Sequence, residues 1–353
     1  MDTKTTKSRS GRVTIREVAE DASVSVAAVS KVMRDAYGVS DALRARVLAS
    51  IAKLNYRPSA AARAMRGQTF TIGVLMADMR NPFYPDILDG VNAAFAPTPY
   101  QTLIGIGRAS SSVESALVHA MVDRQMDGII MIGQRMSSEE VHEIALTVPT
   151  VVIGHHEPEA STFDSVNNDD RLGGKLVVQH LLAQGYRRPV MLSLDLQHLA
   201  PVDVSLQREL GFADAMREAG LGEAISIVRA PHVPGVITET MRQMIGALMG
   251  GRNPPDAIFG WADYFAFEII TVLRDMGVRV PEDVAVIGYD NSAPCTFMRT
   301  DMSSVDQSGT QLGLEASRLL LERIDGRQAA VHHVIVPRII GRSSTRTVTE
   351  PKT

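Results

Sequence analysis

The sequence predicts an all-α helix-turn-helix head, followed by an α/β body of two doubly wound lobes built on parallel sheets. Three observations predict this division. Short amphipathic helical patterns with capping residues occupy the start of the chain, and after residue 70 apolar runs of strand length alternate with helical stretches. The charge also changes sign, with 13 Lys and Arg against 6 Asp and Glu up to Gly67, and 23 against 34 beyond it.

Three helices are predicted within residues 12–57. Thr14 caps the first and forms a capping box with Glu17, while Ser25 and Ser40 cap the second and third. Apolar residues recur at helical spacing, namely Ile15, Val18, Ala19 and Ala22, then Val29, Val32 and Met33, then Leu43, Val47, Ile51 and Leu54. A tight three-residue connection between the first two helices is typical of a helix-turn-helix. Any small three-helix bundle would show similar faces, so that alternative stays open.

The charge of the head favours a polyanionic partner. The head carries a surplus of seven positive charges and the rest of the chain a surplus of eleven negative charges. Such a division confines affinity for phosphates to one end of the protein, and counterion release would make the binding strongly dependent on salt. The alternative is a solvated basic surface without a partner.

A fourth, Ala-rich helix is predicted after the Pro58 joint and ends at Gly67. A run of about nine residues is too short to be stable in isolation. We therefore expect it to fold when two copies pack together in a DNA minor groove, the alternative being an ordinary linker.

Two stretches of the head, VTIREVAEDASVSVAAVSKVM and LNYRPSAAARAMRG, resemble the lactose/galactose repressor (LacI/GalR) family of transcription regulators. The resemblance continues through NPFYPDILDGV, DGIIMIG, RELGF, DVAVIGYDN and SSVDQ, and covers about residues 12–345. It implies lobes of the periplasmic-binding-protein type. It also implies a cytoplasmic, nucleoid-associated homodimer that binds a pseudo-palindromic double-stranded DNA operator, most simply as a repressor.

The resemblance assigns head residues to DNA in three sets. Base edges would be read by Val26, Ala27 and Lys31, because a lysine donates to guanine and small side chains contact thymine methyls. Phosphates, which set register, would be held by Thr14, Ser25 and Ser30. The hinge residues expected at the minor groove are Ser59, Ala62, Arg63 and Met65, the last standing where the family usually carries a leucine wedge.

The resemblance also sets the domain boundaries. The expected order is a disordered arm (1–11), the helix-turn-helix domain (12–57), the hinge helix and linker (58–69), a ligand-binding and dimerisation domain (70–345) and a disordered tail (346–353). Lobe 1 is expected at about 70–171 and 302–331, and lobe 2 at about 172–301 and 332–345.

Eight apolar runs in the body predict strands, at 71–77, 102–106, 128–132, 150–153, 189–193, 225–228, 257–260 and 284–288. Helical stretches lie between them, for example at 87–95, 173–183 and 265–276. A last strand, 334–337, is expected in lobe 2.

Ligands of such sheets bind beyond the carboxyl ends of the strands. That rule and the resemblance nominate the effector-binding candidates Asn81, Phe83, Tyr84, His155, Arg208, Trp261, Asp263, Asp290 and Gln307. Arginine and carboxylate groups bind hydroxyls, and the aromatic rings offer an apolar face, so a sugar or sugar derivative is expected.

The chain departs from the family at two places in this set. Relatives commonly carry Asn-Asp where this chain has Ala262-Asp263, and often Asp-Arg where it has His155-His156. The loss of two habitual partners for sugar hydroxyls favours an altered sugar or an acidic ligand over a common hexose.

Catalysis, cofactors and metals are not expected. The single cysteine, Cys295, excludes an intrachain disulfide, and the histidine pairs lack metal-ligand spacing. Neither a phosphate-binding loop nor a nucleophile elbow is present, and no stretch is apolar enough to span a membrane or act as a signal peptide. A periplasmic-type sugar-binding transport protein and a sugar-active α/β enzyme are the alternatives. The former would not need a basic head, and the latter would need a nucleophile or an acid–base pair.

Overall fold

The computed structural model describes residues 13–33, 36–56, 68–195, 200–230, 237–297 and 301–345. The chain divides into two compact units, Met1–Thr69 and Phe70–Thr353, which are described separately. The expected arm (1–11), the hinge residues Ser59, Ala62, Arg63 and Met65, and the expected tail (346–353) lie outside the described residues.

The head contains three helices, α1 (Ile15–Asp21), α2 (Val26–Met33) and α3 (Asp41–Lys53), as predicted. The capping box is present, because the Thr14 amide donates to Glu17 (2.6 Å) and the Glu17 amide donates to the Thr14 hydroxyl (3.4 Å). Side chains from all three helices form the core, including Val18, Val29 and Val47, each fully buried.

The body alternates strands and helices, as the sequence predicts. Its strands are β1 (Thr71–Met76), β2 (Gln101–Ile106), β3 (Gly128–Ile132), β4 (Thr150–Ile153), β5 (Asp164–Asn168), β6 (Pro189–Leu194), β7 (Ile227–Ala230), β8 (Ala257–Gly260), β9 (Ala285–Asp290), β10 (Ser303–Asp306), β11 (His332–Ile335) and β12 (Arg338–Ile340). Its α-helices are α4 (Tyr84–Phe95), α5 (Ser111–Asp123), α6 (Ser138–Ala145), α7 (Asp170–Ala183), α8 (Val204–Glu218), α9 (Glu239–Met249), α10 (Asp263–Asp275), α11 (Pro294–Phe297) and α12 (Gly309–Ile324).

Two six-stranded sheets form the two lobes. The first has the order β11-β5-β4-β3-β1-β2 and is parallel throughout, and the second has the order β12-β10-β9-β8-β6-β7, with only β12 antiparallel. Helices α7 and α8 cross closely on the second lobe. A Cβ atom on Gly174 would come within 2.3 Å of the Arg208 carbonyl oxygen, so this crossing requires a glycine.

The chain crosses between the lobes at places other than those expected. Residues 302–331 were assigned to lobe 1, but β10 pairs with β9 in the second sheet, with Asp306 opposite Asp290. The last strand was expected in lobe 2, yet β11 pairs with β5 in the first sheet and only β12 lies in the second. The rest of 302–331 does pack on the first lobe, since α12 contributes Leu312, Ala316 and Leu319 to the core of that lobe. Only the placing of β10 and β11 differs from the expectation, because short strands of either sheet have the same local pattern and pairing with a neighbour decides which sheet they join.

Strand β5 was not predicted, because its sequence, DSVNN, is mostly polar. It is nevertheless completely buried, and its polar side chains have partners. Asp164 is bound by Arg327, the Ser165 hydroxyl contacts His332, and the Asn168 amide donates to the Ile335 carbonyl. The predicted strand at 225–228 is also displaced, since a short 3₁₀ helix (Gly222–Ala224) precedes β7.

Within the described ranges, none of the helices combines the length and the apolar character needed to cross a membrane.

Candidate functional site

A cavity between the two lobes brings together the ends of strands from both sheets. The first lobe lines it with the segments that follow β1, β3 and β4, with the end of β5, and with α4 and α12. The second lobe lines it with the start of α7, with α8 and with the ends of β8, β9 and β10. The lining residues are Asn81, Phe83, Tyr84, Ile87, Ile132, Gly133, Ile153, Gly154, Asn168, Asp170, Val204, Arg208, Trp261, Asp290, Gln307 and Leu312.

Seven of the nine effector candidates lie on this cavity, namely Asn81, Phe83, Tyr84, Arg208, Trp261, Asp290 and Gln307. These seven positions, which the rule for strand ends and the family resemblance nominated together, therefore share one cavity in the structure. Which of these side chains contact an effector is taken up below as a proposal.

Arg208 is held in place by partners on several sides. Its Nε donates to Asp170 Oδ1 (2.7 Å) and its Nη1 donates to the Trp261 carbonyl oxygen (2.8 Å). The guanidinium also lies over the Tyr289 ring, 3.6 Å from the centroid. Burial alone would lower the pKa of Arg208, but the neighbouring Asp170 raises it, so the side chain stays charged. The cavity thus contains a fixed cation already paired with one carboxylate.

Asp170, which the sequence analysis did not identify, begins α7. Burial would raise its pKa, but the charge of Arg208 and a hydrogen bond from His156 lower it, so this carboxylate is ionised. The signal that could have identified it is its position just beyond a strand, and that strand, β5, was not recognised.

Two buried polar atoms on the cavity wall have no hydrogen-bond partner in the part of the chain that the structure describes. Asp290 Oδ1 accepts a hydrogen bond from Gln307 Nε2 (2.5 Å), whereas Asp290 Oδ2 and Trp261 Nε1 have no hydrogen-bond partner among the described residues. Asp290 also has a φ of +123°, a conformation that non-glycine residues rarely adopt. Unsatisfied buried groups and backbone strain both occur preferentially at binding sites.

Asp290 lies in an environment that disfavours its charge. Burial, and then the charge of nearby Asp263, raise the pKa of Asp290 well above its usual value. A ligand group that bonds to Oδ2 would relieve part of this cost.

The structure does not bring the other two candidates, His155 and Asp263, to the cavity. The Asn167 side chain accepts a hydrogen bond from the His155 amide and donates one to the His155 carbonyl oxygen. The imidazole of His155 contacts Glu157 Oε2 instead (2.9 Å). Neither residue lines the cavity, because a position after a strand does not specify where the side chain points.

Asp263 lies behind the cavity wall, completely buried. Its oxygens accept hydrogen bonds from Ser304 Oγ (2.6 Å), Cys295 Sγ (3.1 Å) and both the amide and hydroxyl of Ser292 (2.7 and 2.8 Å). Burial raises its pKa to about 6 despite these bonds. Its role in the structure is to join α10 to the segments after β9 and at β10.

The three residues predicted to read bases share the exposed side of α2. Val26, Ala27 and Lys31 are exposed, whereas Val29 and Val32 on the opposite side are buried in the head core. Val26, an apolar residue, leaves 41% of its surface exposed. This face is therefore open to a partner.

The predicted phosphate contacts have local bonding roles. The Ser25 hydroxyl accepts from the Ala28 amide (3.1 Å), which caps α2, and the Thr14 hydroxyl donates to Glu17 (2.9 Å). Ser30 is half-buried on α2. A phosphate would have to compete with Glu17 for the Thr14 proton.

Comparisons with known proteins agree with this architecture. A family model described as "Bacterial regulatory proteins, lacI family" matches residues 14–59, and one described as "Periplasmic binding protein-like domain" matches residues 178–345. Catabolite control protein A of Priestia megaterium is 30% identical over 337 residues, which cover 95% of this chain and 99% of that protein.

Two further relatives are similar over most of their length. The ribose operon repressor of Escherichia coli (strain K12) is 30% identical over 319 residues, which cover 88% of this chain and 93% of that protein. The solved complex of the transcriptional regulator CelR with cellobiose superposes with a TM-score of 0.67 at 26% identity, and covers 94% of this chain and all (100%) of the CelR chain.

Proposed function

The chain belongs to the LacI family of bacterial regulatory proteins, and we propose that it is a transcriptional repressor whose operator affinity is controlled by a small, sugar-like effector bound between the lobes. It acts as a homodimer on a pseudo-palindromic operator, in the cytoplasm and on the nucleoid. No catalytic step is part of this proposal.

The observation that carries the effector site is a pair of polar atoms on one cavity wall that have no hydrogen-bond partner among the described residues. Asp290 Oδ2 offers an acceptor and Trp261 Nε1 a donor. A hydroxyl-bearing ligand supplies both complementary groups, and Phe83 and Tyr84 offer an apolar surface for its ring. Two relatives support this class of ligand, since one is named for a ribose operon and another was solved with cellobiose.

The charge of the cavity favours an uncharged ligand over an acidic one. Arg208 is the cation among the lining residues, and it is already paired with Asp170. A ligand carboxylate or phosphate would therefore meet no unpaired cation among the lining residues. This argument selects the sugar from the two ligand classes that the sequence left open.

The single tryptophan provides a direct test of effector binding. Because Trp261 is the only tryptophan in the chain and lies on the cavity, an effector that contacts it will change its fluorescence. We expect neutral sugars such as D-ribose or cellobiose to produce a saturable change, and the matched sugar acids and phosphates to produce none. A saturable response to the charged compounds alone would contradict the assignment.

The DNA-binding part of the proposal is tested by selecting bound sequences from random DNA duplexes. The affinity for the enriched sequence is then measured with and without the sugar. We expect Lys31→Ala to weaken binding to the selected operator by about 1–3 kcal/mol. Arg46→Ala, which removes the same charge from the exposed surface of α3, serves as the control for a purely electrostatic effect. Failure to enrich any sequence would exclude the repressor function.

A further inference from the structure

A short backbone pairing connects the two lobes beside the cavity. The loop after β4, in the first lobe, forms an antiparallel bridge between His155 and Asp203, which precedes α8 of the second lobe. The His156 amide donates to the Val202 carbonyl oxygen (2.9 Å). Gly154 and Val204, on either side of this pairing, both line the cavity.

The His156 side chain adds a second connection at the same place. Its Nε2 lies 2.8 Å from Asp170 Oδ2, and the other oxygen of Asp170 accepts from Arg208 Nε. Arg208 in turn donates to the backbone of Trp261. A continuous chain of hydrogen bonds therefore runs from the first lobe, through His156, Asp170 and Arg208, to the tryptophan on the cavity wall.

His156 is not itself one of the lining residues, and its side chain keeps 19% of its surface exposed. Asp170 and Arg208 are almost completely buried, at 1% and 4%. Any influence of His156 on a bound effector must therefore pass through Asp170 or through the position of the lobes.

We propose that His156 is a positioning residue that holds the two lobes closed beside the cavity and fixes Arg208, through Asp170, for effector binding. This inference rests on the proposed effector site. Losing the contact leaves Asp170 bonded to Arg208 within the second lobe and removes a side-chain bond between the lobes. Because apparent affinity scales with the population of the binding-competent state, effector binding weakens although no ligand contact is lost.

The test compares three substitutions of the full-length protein. His156→Leu removes the hydrogen bond at similar side-chain size, and His156→Gln retains an N–H donor that can reach Asp170. His119→Leu makes the same change on the exposed surface of α5, where the histidine bonds within its own helix. D-ribose and cellobiose are titrated against each variant and followed by Trp261 fluorescence.

A hydrogen bond to a charged group predicts that His156→Leu weakens effector affinity by about ten- to a hundred-fold. His156→Gln restores affinity to within about threefold of the original chain, and His119→Leu leaves it unchanged. In an Asp170→Asn background, His156→Leu has little further effect, because the two residues act in series. A Gln variant as impaired as the Leu variant would overturn the role of the hydrogen bond.

A second measurement needs no effector. Amide deuterium exchange in peptides covering 154–158 and 200–205 should increase in His156→Leu and return to the original level in His156→Gln. Unchanged exchange in the Leu variant refutes the closure role. Absence of any fluorescence response to sugar in the unsubstituted chain instead refutes the proposed effector, so the two failures are distinguishable.

Discussion

Asp290 Oδ2 has no hydrogen-bond partner within the described ranges, and we therefore predict that Asp290→Asn stabilises the protein while weakening effector binding. Asp290 is 3% exposed, and among the described residues only its Oδ1 has a hydrogen-bond partner, Gln307. An unsatisfied buried charged group costs about 1–3 kcal/mol or more. Asparagine keeps the shape, the acceptor for Gln307 and tolerance of the positive φ, but it carries no charge.

The gain should depend on pH in a defined direction. Burial and the charge of Asp263 raise the pKa of Asp290 in the folded protein. The stability contributed by such a group is fully present below its unfolded pKa of about 3.9 and is lost as pH rises through the folded value. We therefore expect the free energy of unfolding of Asp290→Asn to exceed that of the original chain by about 1–3 kcal/mol at pH 8, and by less at pH 5.

The assay is urea denaturation of both proteins at the two pH values, followed by circular dichroism. Asp263→Asn is the matched control, because Asp263 is also buried with a raised pKa, of about 6. Its oxygens accept four hydrogen bonds, and an asparagine NH₂ would face those donors, so this variant should lose stability. If Asp290→Asn is no more stable at pH 8, or gains equally at both pH values, the reasoning is refuted.

Three further predictions test other parts of the structure. Asp164→Asn removes a fully buried carboxylate that binds Arg323 and Arg327, and should reduce the free energy of unfolding of the body by about 3–5 kcal/mol in urea denaturation. A loss below about 1 kcal/mol would show that these ion pairs are not needed to anchor α12 and β11. Thr14→Ala removes the capping box of α1 and should destabilise the head by about 0.5–2 kcal/mol, measured by thermal melting of the full chain. A head that melts at the same temperature as in the original chain would contradict this prediction. Trp261→Phe removes the indole N–H while keeping an aromatic ring, and should weaken effector affinity by about 1 kcal/mol in calorimetry, whereas equal affinity would show that the N–H has no ligand partner.

His155 and Asp170 show what a position at the end of a strand can and cannot predict about a side chain. Both residues follow strands at the same edge of the first sheet. The apolar strand β4 was recognised and β5, made of buried polar residues, was not. Yet His155 turns to Glu157 whereas Asp170 holds Arg208 at the cavity. The orientation of His155 depends on Asn167, whose side chain binds the backbone of His155 from twelve residues away.

The sequence by itself determined the helices and caps of the head and the alternation of strands and helices, because each depends on local spacing. Strand-end position and the family resemblance also led to nine candidate residues, of which seven line the cavity. Tertiary structure alone decided that β10 joins the second sheet and β11 the first, and that the polar strand β5 is buried. It also decided that His156 meets Asp170 and that Asp290 keeps one oxygen without a partner among the described residues. Pairings between distant residues and the burial of compensated polar groups depend on neighbours that no local pattern specifies.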